Sequence, residues 1–441
     1  RKSRSFRCEK TIIRAVLRPR ARIAGRKMNN FELFMPDGGW CWFQDPRAVV
    51  QGDWLVIGGV EGHGAGAAVA GVYDLRQRTS VGRAVLNPAF DPDDHNAPAF
   101  FARPDDRLLA VYARHHREPG FRVRLSEPND PLRWGPERRV ETGDPVTYAN
   151  LHELSEEGTL YNFYRGIQWN PTFVTSRDGG ATWSPETHFV ASELEGRHRP
   201  YARFAGNGRD VLHLAFTDGH PRNFGNSIYY AAFRGGRFCR ADGTPIKSLR
   251  KDGPLRPSEA ERVFRGSGRP GGDAARSAPS SAWVSSVALD AAGHPHIAYS
   301  LYLSNTDHRY RVASWNGRRW LDREIAYAGK CLYDLESSYT GLIELDPSDP
   351  AHVVISTDVD PATGADRGGT HEIYRARVGP DDDVGAIIWE PVTRDSPKGV
   401  RNLRPKILNW NGYRIVLWQR GAYTTYTDYR LDTVGILETV H

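Results

Sequence analysis

One unit recurs seven times along this chain of 441 residues: a short apolar strand with a polar end, a turn, and a second β-rich run. The strand cores are WLVIGG from 54, LLAVYAR from 108, TLYNFYR from 159, VLHLAFTD from 211, PHIAYSLY from 295, HVVISTD from 352 and RIVLWQR from 414. A propeller blade of four strands takes about 40 to 50 residues, so most of these spacings match one blade with modest loops. The chain is therefore predicted to be all-β and to form a seven-bladed β-propeller.

Each strand core follows a candidate innermost strand that would face the axis of the ring. These strands begin at Pro46, Asn96, Tyr148, Arg199, Ala282, Tyr339 and Leu403. Residues 28–441 are predicted to form one domain, with residues 40–50 closing the ring against the C-terminal blade. The longest gap between strand cores contains a run rich in Gly, Arg and Ser, which indicates an inserted loop around residues 240–281, with residues 265–281 outside the blade cores.

The turn from Ser176 to Trp183 fits the S-x-D-x-G-x-T-W pattern of an Asp-box, and it resembles the hairpin of sialidase-like propellers. Asp178 is expected to bond the turn amides, while Gly179 and Gly180 allow a positive φ. Trp183 is expected to pack between blades. We therefore predict a structural role for this turn.

The net charge of +6 comes from one end of the chain. Residues 1–27 contain eleven Lys or Arg and one acid, and the remainder holds 48 basic and 52 acidic residues. The body therefore offers no general attraction to nucleic acid or a membrane surface. The basic segment is interpreted as a solvated tail or a segment upstream of a start at Met28, with an anionic-surface anchor or targeting peptide as the alternatives. It lacks the apolar region of a secretory signal.

The four cysteines are far apart, with no C-x-x-C pair, which argues against a zinc ribbon and a disulfide scaffold. Free thiols fit a reducing, cytoplasmic location, whereas a missing leader would make the protein secreted or periplasmic. No cofactor is predicted for the chemistry, although a structural calcium or zinc ion is compatible with the fold. His220 and His371 are alternative metal ligands.

Polar residues at the starts of innermost strands and at the ends of second strands are predicted to line one funnel. They are rich in imidazole, phenol and guanidinium groups, which can move protons and bind an anion. The candidates for the site are His95, Asn96, His115, Tyr148, Arg165, Arg199, Tyr201, His220, Arg47 and Arg404.

The sequence resembles the BNR-repeat propellers that include seven-bladed ulvan lyases and relatives acting on rhamnose and glucuronate linkages. The similarity runs from about residue 37 to 430, and its motifs are GGWCWFQDPRAV from 38, DDHNAPAF from 93, VYARHH from 111, YANLHEL from 148, FYRG from 163, RPYARF from 199, FTDGHPR from 216 and HEIYRA from 371. The resemblance implies a polysaccharide lyase acting on an anionic, uronate-containing glycan. A monomer that binds neither nucleic acid nor membrane is expected.

In the lyase branch of that family a histidine pair and a tyrosine–arginine pair form the catalytic centre, and His95 with His115, and Tyr148 with Arg165, match these pairs. Elimination requires removal of the C5 proton, an offset for the carboxylate charge, and protonation of the leaving O4. The expectation is that Arg165 holds the carboxylate, His95 is the base and Tyr148, acidified by Arg165, is the acid. His115 would orient Tyr148 or share the base role. The reverse assignment of acid and base stays open.

The remaining candidates, Asn96, Arg199, Tyr201, Arg47, Arg404 and His220, are predicted to bind substrate. Each site residue also has a purely structural alternative. His95 could serve backbone amides in its turn, His115 could be an exposed strand end, Arg165 could pair with Glu153 or Asp178, and the tyrosines could pack between blades.

Two other functions are compatible with the sequence. An α-L-rhamnosidase-like glycoside hydrolase could use the same scaffold, whereas a single good Asp-box and seven strand units argue against a six-bladed sialidase. A non-catalytic glycan-binding propeller is the other alternative, because a fold does not determine an activity.

Overall fold

The protein is described by a computed structural model that covers residues 31–194, 199–271 and 277–440. The predicted basic segment, residues 1–27, lies outside the described residues. The strands form seven separate antiparallel sheets, one after another along the chain. This confirms the seven-bladed β-propeller. None of the described helices is long and apolar enough to cross a membrane.

The strands of the first half are numbered in chain order, beginning with β1 (Glu32–Met35). The first blade contains β2 (Ala48–Gln51), β3 (Trp54–Val60), β4 (Ala68–Asp74) and β5 (Thr79–Asn87). The second contains β6 (Ala99–Ala102), β7 (Leu108–Tyr112), β8 (Phe121–Glu127), β9 (Asp130–Trp134) and β10 (Arg138–Val140). The third contains β11 (Thr147–Leu154), β12 (Thr159–Arg165), β13 (Pro171–Ser176) and β14 (Thr187–His188).

The second half continues the same pattern. The fourth blade contains β15 (Ala202–Gly206), β16 (Leu212–Thr217), β17 (Ile228–Arg234), β18 (Arg237–Cys239), β19 (Pro245–Ser248) and β20 (Glu261–Phe264). The fifth contains β21 (Ser281–Leu289), β22 (Pro295–Ser304), β23 (Asp307–Trp315) and β24 (Trp320–Gly329). The sixth contains β25 (Ile343–Leu345), β26 (His352–Thr357), β27 (Glu372–Arg377) and β28 (Glu390–Pro391). The seventh contains β29 (Arg401–Trp410), β30 (Tyr413–Thr425) and β31 (Asp428–Thr439). Among the described residues the one α-helix is α1 (Leu249–Asp252).

The ring closes at β1, which pairs with β31 as the outermost strand of the seventh blade, with Glu32 opposite Gly435. The prediction that residues 40–50 close the ring is therefore wrong. Residues 40–45 instead follow the axis: the Cys41 amide donates to Asp94 O (2.9 Å), and the Asp45 amide donates to Ala149 O (3.0 Å). The four residues of β1 escaped detection because so short a strand has no repeat of its own to mark it.

The insertion predicted as a loop around residues 240–281 contains two strands. β19 pairs with β18, and β20 pairs with β17, so both extend the fourth blade. This is because the exposed outer edge of a blade offers unpaired backbone groups to which an inserted segment can add. Residues 265–271 and 277–280 contain no strand in the described part of the chain.

The Asp-box prediction is confirmed. Asp178 Oδ1 accepts from the Thr182 amide (2.8 Å), and Gly179 and Gly180 have φ of 67° and 94°. Trp183 packs edge-on against Phe121 of β8, with ring centroids 5.5 Å apart. The turn therefore connects the second and third blades through packing.

Candidate active site

Aromatic rings form the floor of a pocket at one mouth of the axial channel. Trp42 and Phe43, on the segment that follows the axis, contact rings from four innermost strands or the residues that lead into them, with centroids 5.0–5.4 Å apart. These rings are Tyr148, Tyr201, Trp283 and Tyr339. Because each of these rings comes from a different blade, the floor forms only when the ring of blades is closed.

Two stacked histidines share one carboxylate on the second blade. The His95 and His115 rings lie 4.2 Å apart at 18°. His95 Nδ1 lies 2.7 Å from Asp93 Oδ1, and His115 Nδ1 lies 2.9 Å from Asp93 Oδ2. Asp93 also caps the short turn Asp94–Asn96 by accepting from the His95 amide (3.0 Å). Both oxygens of this carboxylate are therefore engaged.

The two histidines differ in charge. Burial by itself would lower the pKa of His95, but the Cys41 sulfur and the Asp93 carboxylate beside the ring raise it well above 6.5. Burial lowers the pKa of His115 to about 4, and the positive charge of His95 adds to this effect. Burial alone would raise the pKa of Asp93, yet the two histidines hold it well below its usual range. At neutral pH the unit consists of a His95 imidazolium, an Asp93 carboxylate and a neutral His115.

His115 is the accessible member of this unit. Its side chain is 22% exposed, whereas that of His95 is 4% exposed. Since the Nδ1–H of a neutral His115 donates to Asp93, its Nε2 carries the lone pair. His95 directs Nε2 toward the Tyr339 hydroxyl, 3.4 Å away.

Arg165, at the end of β12, forms the adjacent wall. Its Nη1 donates to the Tyr201 hydroxyl (2.7 Å), its charge lies 4.5 Å from the Tyr201 ring centroid, and that charge also acts on the phenol of Tyr148. No carboxylate lies within 4.0 Å of it in the described part of the chain, so it pairs with neither Glu153 nor Asp178. Arg165 is thus a pocket cation without a protein counter-ion there.

Tyr148 stands between the histidines and Arg165. Its ring centroid lies 5.7 Å from that of His95, and its backbone adopts a φ of 75°, where a β-bulge interrupts the pairing of β11 with β12. Left-handed backbone at a non-glycine residue is costly and recurs at functional sites. Burial raises the pKa of Tyr148 well above 10 and outweighs the opposing charge of Arg165. Arg165 lowers the pKa of this phenol, as expected, but burial has the larger effect, so the hydroxyl keeps its proton at neutral pH.

The structure brings His95, His115, Tyr148, Arg165 and Tyr201 together, but it places other predicted substrate ligands elsewhere. Asn96 is buried, and its Oδ1 accepts from the His115 amide (2.6 Å), so it positions that histidine.

Arg47 and Arg404 are almost fully buried behind the floor. Arg47 bonds Asp45 (3.2 Å), and Arg404 bonds Asp94 (2.6 Å). The prediction that these two arginines contact substrate is wrong, because the inward-facing polar positions of innermost strands also supply the buried ion pairs of the axis.

The remaining two candidates lie at the pocket. Arg199 donates to Gln168 O (2.6 Å), and burial together with the charge of Arg165 lowers its pKa. His220 packs against Trp283, with centroids 4.8 Å apart, and its Nε2 lies 3.6 Å from Glu336 Oε2.

Four pocket residues were missed by the sequence analysis: Asp93, Tyr339, Tyr426 and Glu336. Tyr426, at the tip of the β30–β31 hairpin, stands edge-on to His95 with centroids 4.9 Å apart. Glu336, in the 3-10 turn Asp334–Glu336, binds Arg222. Asp93 was visible in the DDHN motif but was interpreted as a turn residue, and Tyr339 was visible as the start of an innermost strand. Glu336 and Tyr426 lie in loops or turns whose strand pattern gives no signal.

Side chains with metal-ligand chemistry also occur. Among the described residues the groups are Cys41 with Asp94 and His95, Asp93 with His95 and His115, and Asp37 with Glu61 and His63. Neither His220 nor His371 belongs to such a group there. The Nδ1 atoms of the histidine pair already bond Asp93, and we propose no metal at this position.

The sequence matches the BNR repeat-containing family over residues 63–328, more than half of the chain. The chain belongs to this family. No curated protein matches the sequence. The BNR repeat-containing protein described here is similar in fold to a polysaccharide lyase of family PL25, an ulvan lyase bound to -[GlcA(1-4)Rha3S]-, with 13% identity, a TM-score of 0.63, and coverage of 92% of this chain and 95% of that chain.

It is also similar to polysaccharide lyase Uly1, with 13% identity, a TM-score of 0.58, and coverage of 96% of this chain and 95% of that chain. At this identity the likeness shows the shared propeller fold.

Proposed function

We propose that this protein is a polysaccharide lyase that cleaves a uronate-containing, ulvan-like glycan by β-elimination. The observation that carries the proposal is the Asp93 carboxylate that holds a neutral, accessible His115 beside Arg165 and a protonated Tyr148. The set supplies a base, an acid and a carboxylate-binding cation in one pocket. The fold shared with an ulvan lyase bound to a glucuronate–rhamnose sulfate glycan is consistent with it.

In this mechanism Arg165 binds the substrate carboxylate with its planar, two-pronged guanidinium and offsets the negative charge that grows on deprotonation. His115 Nε2 takes the C5 proton, and the C5–H electron pair forms an enolate with the carboxylate. The electrons then form the C4–C5 double bond as the C4–O4 bond breaks. Tyr148 donates its proton to the leaving O4; afterwards His115 releases the C5 proton to solvent and the phenolate recovers a proton from solvent.

This assignment moves the base from His95 to His115. His95 is almost fully buried and its raised pKa keeps it protonated, so its Nε2 has no lone pair to offer at neutral pH. The imidazolium instead orients Asp93 and helps to keep His115 neutral. We infer that His95 is a positioning residue.

A glycoside hydrolase is less well supported. Hydrolysis by the usual route needs two carboxyl groups that flank the scissile bond. Asp93 is fully engaged by two histidines, which leaves Glu336, whose pKa is raised by burial, as the one other pocket carboxyl that we identify among the described residues. A single available carboxyl group fits elimination better than hydrolysis.

The test is incubation with ulvan, gum arabic and rhamnogalacturonan while ultraviolet absorbance and reducing ends are followed together. Elimination produces both signals, because each cleavage creates an unsaturated uronate at one new end and a reducing end at the other. Reducing ends without absorbance would identify a hydrolase. Glycan binding with neither signal would identify a binding protein.

A further inference from the structure

The pocket has two halves that differ in charge. On the second and third blades the cation Arg165 has no carboxylate partner in the described part of the chain, so it can bind a carboxylate of the ligand. On the fourth and sixth blades Arg222 Nη1 bonds Glu336 Oε1, so positive and negative charge compensate. A uronate fits the first half, and an uncharged group fits the second.

Contacts with the aromatic floor place Glu336 and Arg222 at the pocket. His220 lies 3.6 Å from Glu336 Oε2 and packs on the Tyr201 and Trp283 rings, with centroids 5.4 and 4.8 Å apart. The charge of Glu336 acts on His95 and on Tyr339.

Tyr426 stands between the two halves. It is half-buried over the His95 ring, and the charges of His95 and Glu336 both act on its pKa, His95 lowering it and Glu336 raising it. Tyr426 therefore joins the histidine pair to the part of the pocket that holds Glu336.

The hydrogen bonding of this polar group is incomplete. Glu336 Oε2 accepts no hydrogen bond within the described residues, although the Glu336 side chain is only 11% exposed. Arg222 is 31% exposed, so its guanidinium has N–H groups that can reach a ligand. A buried carboxylate oxygen without a donor is unfavourable, and a sugar hydroxyl supplies the missing donor.

We propose that Glu336 and Arg222 form a second subsite, which binds the hydroxyl groups of a neutral sugar next to the uronate on Arg165. Glu336 accepts from the hydroxyls, and Arg222 donates to them while it holds the carboxylate in place. The inference rests on the proposed function, because it assigns the two halves of the pocket to the two sugars of one glycan. It orients the chain, with the acidic sugar over the second and third blades and the neutral sugar over the fourth and sixth.

Direct binding tests the subsite without relying on turnover. L-rhamnose, as the neutral probe, and D-glucuronate are titrated separately while tryptophan fluorescence is followed, since Trp42 and Trp283 lie in the floor. Glu336→Ala is expected to weaken L-rhamnose binding about tenfold or more and to leave D-glucuronate binding within about twofold, as for loss of a hydrogen bond to a charged group. Arg165→Ala is expected to give the opposite pattern.

Two further variants protect the result from a folding artefact. Glu336→Gln keeps the side-chain shape and should lose less L-rhamnose affinity than Glu336→Ala. Glu324→Gln is the matched control, because it removes a carboxylate that pairs with Arg309 (2.6 Å) on the outer strands of the fifth blade. It should bind both sugars as the unaltered protein does.

Kinetics on a test glycan that carries an uncharged sugar next to the uronate separate this inference from the lyase proposal. Glu336→Gln should raise KM with little change in kcat, because the subsite holds the sugar equally in the ground and transition states. A lower kcat at unchanged KM, equal loss of both sugars in Glu336→Ala, or no L-rhamnose binding by the unaltered protein would overturn the subsite. A pattern of selective sugar binding without any unsaturated product would support the subsite and overturn the lyase.

Discussion

Two carboxylates near the axis are held by basic side chains, but only one of them suits chemistry. Asp45 is bound by Arg47 (3.2 Å), Arg203 and Lys406 (3.5 Å), whereas Asp93 is bound by His95 and His115. In both cases the neighbouring cations outweigh burial and lower the carboxyl pKa well below its usual range.

The difference lies in the partners. Arginine and lysine stay charged at every pH the protein meets, while histidine can gain or lose a proton near neutrality. The Asp45 cluster therefore connects residues of the first, fourth and seventh blades as a fixed ionic contact, and the Asp93 cluster can move a proton. A carboxylate bound by basic side chains thus contributes to stability at Asp45 and to reactivity at Asp93.

The largest expected effect is on catalysis at the Asp93 side. Tyr148→Phe and His115→Ala should each lower kcat roughly 10² to 10⁴-fold, the range for removal of a positioned acid or base. Unsaturated-uronate release measures this loss. Both variants should keep the circular dichroism spectrum of the original protein, and full activity in either one contradicts the assigned role.

The next effect is on stability and contrasts the two carboxylates directly. Asp45→Asn leaves Arg47 and Arg203, both 2% exposed, without their counter-ion, and should cost about 3 to 5 kcal/mol of unfolding free energy. Asp93→Asn should cost less, because His95 can release its proton, although this variant should lose most activity. Urea unfolding of the two variants measures this difference. Equal losses of unfolding free energy would remove the distinction between the two clusters.

A smaller loss is expected when the carboxylate-binding cation is altered with its charge retained. Arg165→Lys should lower kcat roughly tenfold to a hundredfold, because a point charge cannot hold the substrate carboxylate with two parallel hydrogen bonds. Arg177→Lys, on the exposed Asp-box turn, is the control. Activity at the original level in Arg165→Lys would show that charge alone suffices.

The smallest effect is a displaced pH profile. His115 must be unprotonated to act as the base and has a pKa of about 4, so kcat/KM should be flat above pH 5 and fall about tenfold per unit below pH 4. His95→Gln removes a positive charge that lowers the pKa of His115, and the acidic limb should move to higher pH with part of the activity retained. Complete inactivity of His95→Gln would instead return the base role to His95.

Local patterns were sufficient for the repeating parts of this protein. The alternation of strands and turns predicted seven blades, and the Asp-box residues predicted their own hydrogen bonds and packing, because both depend on contacts within a few residues or one strand pair. The resemblance carried by the DDHN and VYARHH motifs likewise marked His95 and His115 as a pair.

The sequence by itself thus determined the fold class and most of the reactive groups, whereas the tertiary structure decided which of them face the substrate. Arg47 and Arg404 resemble Arg165 as polar residues of blade strands near the axis. Their charges, however, are neutralised in buried ion pairs with Asp45 and Asp94. Glu336 and Tyr426 reach the pocket from loops of other blades, and the protonation of the two histidines depends on burial and on a shared carboxylate. Ion pairing, access to the pocket and protonation all depend on distances between residues that are far apart in the chain. Only the closed ring of blades sets those distances.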